Sequence, residues 1–314
     1  MACLICGGAR QTPLYDGVRD HYAIDPNAYR FLRCSACGSA SLDPLPAPER
    51  LAAAYGADYT FKPARAAGLR ALVHGLEWRL FSRPAYRRRL RLLRRLTGLC
   101  SGRVLEVGCG SGLFVEFLRS AGYEAEGVEP SDADAEYARE CLGLPVVHGG
   151  LDAPSLSPGR YDAVLLVYVL EHIPDPRDAV ARIRRLLRPG GWAVLGLPVI
   201  DSGQARLLGP RWSAITEAPR HVSIPSVAGA RRLLEEAGFA DVRTAPSPLL
   251  ENAGHVALSL VPSAASPLAQ GRRRLLRRAA GALAMLPGLL VACAERLPGG
   301  PTTRAGTMFF AARA

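Results

Sequence analysis

Lysine is nearly absent from this 314-residue chain: Lys62 is the only one, and asparagine occurs only at 27 and 252. The formal charge of +11 therefore rests on arginine. With abundant alanine, glycine and proline beside it, that arginine reads as the codon choice of a GC-rich genome more than as a nucleic-acid surface. Aromatic residues make up 7%, so few interleave with the arginines as stacking platforms for RNA. No apolar run is long enough for a membrane span; AAGALAMLPGLLVACA at 279–294 is sixteen residues, interrupted at Pro287. The opening MACLICGGAR lacks a basic segment followed by an apolar one, so a cytoplasmic, reducing location is expected. In such a compartment eight cysteines point to metal or burial rather than disulfides. A hydrophobic fraction of 49% is ample for one large domain with an appendage.

Four of the cysteines have a metal-ligand pattern. Cys3-Leu-Ile-Cys6-Gly and Cys34-Ser-Ala-Cys37-Gly are two knuckles separated by 27 residues. Each knuckle turn aims two thiolates at one point, and four protein ligands close a tetrahedral site without room for water, so a structural Zn2+ is expected. A dithiol redox motif is the rival, but no thioredoxin-like strand and helix surround either pair. Cys100, Cys109, Cys141 and Cys293 have no partner spacing.

The chain is organised around Val104 to Gly112, VLEVGCGSG. An apolar strand carrying Glu106 runs into glycines at 108, 110 and 112, and the amphipathic LFVEFLRSAG follows: strand, glycine loop, helix. Residues without a Cβ let a ligand lie against the backbone at the mouth of a parallel sheet, so a nucleotide-type ligand is expected. A dinucleotide fingerprint would put its third glycine at 113, which is leucine. Glu129 ends the next apolar run, placed to accept two ribose hydroxyls.

E-x-G-x-G-x-G with its distant acid resembles motif I and the acidic partner of class I S-adenosylmethionine-dependent methyltransferases. The rest of the chain agrees with that frame. Strands and helices alternate from Arg103: RVLEV, YEAEGVE, PVVHG, YDAVLLVYV, GWAVLGLPV, then ADVRTAP and AGTMFFAAR, with Ser131 capping one intervening helix. The reading is a doubly wound, Rossmann-like α/β sheet of seven strands, with an N-terminal zinc ribbon and a helical insert before the last strand. Its boundaries are 1–48 for the zinc module, 49–98 for a basic helical linker and 99–314 for the methyltransferase domain, the insert covering about 250–302. The zinc module with LDPLP, a short helix and a Y-x-x-x-Y pair resembles one that precedes bacterial methyltransferases of polysaccharide, glycolipid and secondary-metabolite pathways.

The resemblance implies cofactor contacts at Glu106, Gly108, Cys109, Gly110, Gly112, Glu129, Pro130, Leu151, Val167 and Tyr168. VYVLEHIPDP and RPGGW resemble the family's motif IV and the segment after it, so Glu171 and His172 border the reacting centre. Quinone-type and small-RNA methyltransferases with an E-x-x-E-H run place a divalent metal there; here Tyr168 stands where the first acid would be. Glu171 reads equally as a strand-end cap. PRH at 219–221 resembles the substrate-side loop of the same enzymes, placing Arg220 and His221 over the cofactor, with His172 or His221 as the base. The implied reaction is methyl transfer to a hydroxyl of a small molecule, sugar or glycolipid intermediate.

Two other readings stay open. From Lys62 to Arg95 one lysine and ten arginines face Glu77 alone, about +10 in one segment. Leu69 to Leu80 and Tyr86 to Leu96 repeat at helical spacing with arginines on the outer faces, so this is a solvated cover for the sheet or the phosphate-binding face of an RNA methyltransferase. A non-catalytic cofactor-binding scaffold is the third reading. RRRLLRR at 272–278 beside the apolar 279–294 reads as a helix on an anionic membrane surface or as a cap or dimer face.

Overall fold

The structure, a computed structural model, describes residues 2–55, 82–261, 272–297 and 305–314, with the backbone alone for 272–279. The helix expected over Leu69 to Leu80 lies outside them.

The central strands form a parallel sheet whose two faces are covered by helices, so most of their side chains are buried. They are β4 (Gly102–Val107), β5 (Tyr123–Glu129), β6 (Val146–His148), β7 (Tyr161–Val167) and β8 (Leu187–Pro198). Two later strands, β10 (Ala240–Pro246) and β11 (Thr307–Arg313), complete a seven-stranded sheet of order β10-β11-β8-β7-β4-β5-β6. Only β11 runs against its neighbours. The chain leaves β4 toward β5 and β6, then returns to the other side at β7, so the carboxyl ends of β4 and β7 flank the crevice where such sheets bind ligands. Val104, Leu105, Val164, Leu165 and Leu166 are fully buried between the helical layers.

The helices follow from their caps and faces. Ser131, Asp175 and Ser226 each accept an amide three residues on, opening helices Asp132–Leu142, Pro176–Leu186 and Val227–Glu236. Gly98, with φ +75°, closes helix Arg83–Thr97, whose Leu90, Leu93 and Leu96 are buried against the sheet.

The N-terminal segment forms a second sheet that the sequence did not announce. Strands β1 (Gln11–Arg19), β2 (Ala28–Cys34) and β3 (Ala40–Asp43) pair antiparallel, and the fourth strand, β9 (Ser223–Ile224), comes from the PRH segment. Ala40 faces Ile224 and Ser41 faces Ser223, and Leu42 N donates to Val222 O at 2.9 Å. Cys3, Ile5, Cys6, Cys34 and Cys37 share one apolar core with Leu233, Leu234 and Phe239 of the larger sheet's helical layer. The expected insert is a pair of packed helices, Leu249–Leu260 and Arg272–Ala294, the second continuing through Pro287 where the sequence predicts an interruption.

Candidate active site

Glu106 lies one residue before the end of β4 and is buried, its Oε2 without a hydrogen-bond partner; removal from water pushes its carboxyl up to about 8. Gly108, Gly110 and Gly112 all have positive φ, at 65°, 53° and 80°. A Cβ on Gly108 would stand 2.8 Å from a Val169 methyl, and one on Gly112 2.7 Å from Leu144 Cδ1. Glycine is needed here for conformation and for space.

The loop is tied to β5 at two points. Gly108 N donates to Val128 O at 2.8 Å, and Gly110 N donates to Glu129 Oε2 at 2.7 Å. Ser131 N donates to the other Glu129 oxygen at 2.9 Å, so both oxygens hold backbone amides while each keeps a lone pair for another donor. Cys109 is buried beside Gly127, Pro130 O lies 3.1 Å from His148 Nε2, and Leu151 packs on the core after β6. An unpartnered buried carboxylate oxygen beside a cradle without side chains fits a ligand with a cationic amine and ribose hydroxyls. Those are the donors that S-adenosylmethionine presents.

Across the crevice, β7 ends at Val167 and Tyr168 follows with φ +60°. The Tyr168 hydroxyl donates to Glu251 Oε2 at 3.1 Å, and Arg89 Nη2 lies 3.3 Å from the same oxygen. The Arg89 guanidinium sits over the rings of Tyr86, Phe114 and Tyr168 at 5.2 to 5.8 Å. This corrects the expectation that the arginines of this helix lie outward: Arg89 is internal, three residues after Tyr86 and four before Leu93, on the apolar face. Arg89 Nε and Glu251 Oε1 are buried without partners, as Glu106 Oε2 is.

A one-turn helix, Leu170–His172, carries the next group. One donor atom each from Glu171, His172 and His221 lies within 4.8 Å of the others, so the expected pair EH and the distant PRH do meet. Two imidazoles and a carboxylate at that spacing are able to share a divalent cation or a proton. His172 Nδ1 lies 3.2 Å from Arg220 O and 2.9 Å from the Tyr55 hydroxyl. Arg220 O can only accept, whereas the Tyr55 hydroxyl can donate or accept; the tautomer in which Nδ1 donates to Arg220 O is the one that leaves the lone pair on Nε2. His221 Nδ1 likewise donates to Ala214 O at 2.7 Å, with Glu217 Oε2 3.4 Å from Nε2. Removal from water lowers both imidazoles to about 3 and raises Glu171 to about 8, so all three are uncharged near neutrality.

Arg220 is placed differently from the neighbouring histidine. Fully buried, it makes a two-pronged pair with Asp20 of the N-terminal sheet, at 2.7 and 3.3 Å, and lies over the Tyr22 ring at 4.7 Å. Its guanidinium holds the loop to that sheet, while its carbonyl orients His172. Asp20, Tyr55, Arg89, Glu217 and Glu251 are polar residues here that the sequence reading did not single out as site residues. For Arg89 the helical spacing held the signal; for Asp20 and Glu251 nothing local did.

The cysteines meet as their spacing predicts. Cys3 and Cys37 sulfurs are 3.7 Å apart, Cys6 and Cys34 sulfurs 3.6 Å, and all four lie within 4.8 Å. A tetrahedron with Zn–S bonds of about 2.3 Å has sulfur edges of about 3.8 Å, so the cluster has the right size for that ion.

Strand order, the antiparallel β11, the glycine loop and the acid on β5 together define the fold of the class I S-adenosylmethionine-dependent methyltransferases. A sequence profile of the methyltransferase domain family matches residues 78–244, over half of the chain, and the protein belongs to that family. It is similar to the ubiquinone biosynthesis O-methyltransferase of Methylococcus capsulatus, 36% identical over 110 residues, covering 33% of this chain and 46% of that protein. The Thiobacillus denitrificans enzyme of the same name is also 36% identical over 110 residues, covering 33% of this chain and 47% of that one. The chain thus spans about half the length of the curated relatives it matches. Among solved structures, phosphoethanolamine N-methyltransferase 2 of Haemonchus contortus in complex with S-adenosyl-L-methionine superposes with a TM-score of 0.50. At 18% identity, over 71% of this chain and 51% of that one, the likeness is of fold.

Proposed function

We propose that the protein transfers the methyl group of S-adenosylmethionine to a hydroxyl of a small molecule, sugar or glycolipid intermediate, with His172 as the general base. The carrying observation is His172 itself: it meets Glu171 and His221 just past the carboxyl end of β7, its Nδ1 lies within reach of the Arg220 carbonyl and the Tyr55 hydroxyl, and removal from water holds the ring neutral. Glu106 and the glycines at 108, 110 and 112 hold the methionine end of the cofactor, and Glu129 the ribose. When bound, the cofactor supplies an electrophilic methyl on sulfur. The protein then has to align the acceptor, exclude water and take up one proton. Tyr55 and His221 fix the His172 ring. The relatives' names put the methyl group on oxygen, which supports a hydroxyl acceptor. Four thiolates hold a structural Zn2+ that fixes the N-terminal sheet.

Labelled S-adenosylmethionine incubated with the protein and fractionated cell extract tests the reading. Label in solvent-extractable or small polar material supports it and delivers the acceptor; label in a nuclease-sensitive precipitate makes it an RNA methyltransferase. With the acceptor in hand, His172→Ala lowers turnover by about 10²- to 10⁴-fold while cofactor affinity holds. A silent His172→Ala/His221→Ala double variant sinks the assignment. Brief chelation that leaves the thiolate zinc in place separates proton transfer from a cation shared by Glu171, His172 and His221.

A further inference from the structure

The second insert helix, Arg272–Ala294, is turned inside out. Ala284, Gly288 and Ala292, four apart, form its buried face, and a Cβ on Gly288 would come within 2.4 Å of Ala253 O on the first insert helix. Its large apolar side chains point the other way: Leu283, Leu286 and Leu290 are 69%, 63% and 73% exposed, and Leu297 just past its end 63%. With exposed Cys293 these positions follow one another at steps of 3, 4, 3 and 4, a single continuous row. A soluble helix buries its leucines and exposes polar groups, so this row needs a cover.

The ends of the row say which cover. Leu297 lines a cleft of about 590 Å³ that continues into another of about 430 Å³, the two sharing Leu92, Arg95, Pro246 and Arg296. The second adds Arg88 and Arg91 and has no acidic lining, and among the described residues Arg88 and Arg95 form no ion pair. The one acid of the first cleft, Glu295, is buried and accepts from Gln204, Asn252 and Gly306. At the opposite end the helix begins RRRLLRR, and it contains no acidic residue. Apolar side chains framed by arginine at both ends match an anionic bilayer, whose phosphates flank an apolar interior. Two copies set face to face would bring arginines against arginines in either direction. Among the described residues no helix is long and apolar enough to cross a membrane, so a bilayer contact of this helix would run along the surface.

We propose that this face docks the protein on an anionic phospholipid bilayer, with the leucine row at the interface and the arginine cleft on lipid phosphates. The docking does not depend on the transfer reaction. The test is co-sedimentation of the zinc-loaded full chain with vesicles of phosphatidylglycerol and phosphatidylcholine in equal parts, against phosphatidylcholine alone. Sedimentation with the anionic vesicles that salt reverses is the expected result. Leu286→Asp/Leu290→Asp abolishes it with cofactor binding intact, and Arg91→Ala/Arg95→Ala weakens it roughly fivefold for each arginine removed. Should the leucine variant not fold, the arginine variant and the salt series carry the test. Protein that stays in the supernatant with anionic vesicles overturns the proposal. So does inorganic phosphate bound in the cleft without sedimentation, or a dimer that Leu286→Asp/Leu290→Asp dissolves in protein that ignores vesicles.

Discussion

The two sides of the crevice are built in opposite ways. The side proposed for the cofactor is nearly contiguous: Glu106 to Gly112 and Glu129 to Ser131 sit on adjacent strands and their following loops and hold one another through backbone amides. The side proposed for the acceptor gathers Tyr55, Arg89, Tyr168, His172, His221 and Glu251 from five separate stretches of chain and fixes them by side-chain contacts. A local device depends on one loop folding correctly, whereas an assembled one depends on every element that delivers a residue. Damage to a distant part should therefore fall on the acceptor side first.

The sharpest way to break this contrast is to strip the zinc proposed for the four thiolates. Structural zinc sites have apparent binding free energies of roughly 10–16 kcal/mol, so chelating the cysteine cluster should unfold the N-terminal sheet and abolish turnover. Equilibrium binding of S-adenosylmethionine, followed by calorimetry, should survive; equal loss would make the two sides one cooperative unit. Next in size, Asp20→Ala takes from the buried Arg220 guanidinium its two-pronged carboxylate partner, a loss of about 3–5 kcal/mol in denaturant unfolding. Asp20→Ala/Arg220→Met should recover most of that stability but not turnover, since the loop remains untied.

On the cofactor side, Gly108→Ala adds a methyl against Val169 at a left-handed residue and should cost about 1–2 kcal/mol from backbone conformation alone. The effect should appear in cofactor affinity with the maximum rate retained. Val169→Ala should relieve the clash, and full recovery would show that space rather than conformation decides at this position. The smallest effect is a flat line. A base must be unprotonated, and His172 is held neutral down to about 3, so turnover should stay level from pH 7.5 to about 5. A fall centred near 6.5 would mean that water reaches the imidazole.

The same division explains what could be read from the chain. The glycines, Glu129 and the apolar runs are short-range signals with fixed spacing, and the strand order follows once the loop is placed. Asp20 and Arg220 are 200 residues apart, and neither segment carries a mark that it meets the other. Arg89 was misplaced because arginine is so common in its helix that one buried copy does not stand out. Strand β9 is two residues long, too short for any alternation to register, and it exists only because β3 offers an edge.

That two-residue strand has a consequence for anyone recombining such enzymes. Residues 2–55 moved onto another methyltransferase would arrive with the edge of β3 bare and Asp20 without its counter-ion. The transferable cassette is discontinuous: the N-terminal sheet must travel with the segment from Ser213 to Ser226 that supplies its last strand, and a crossover between them should yield aggregates rather than a chimera.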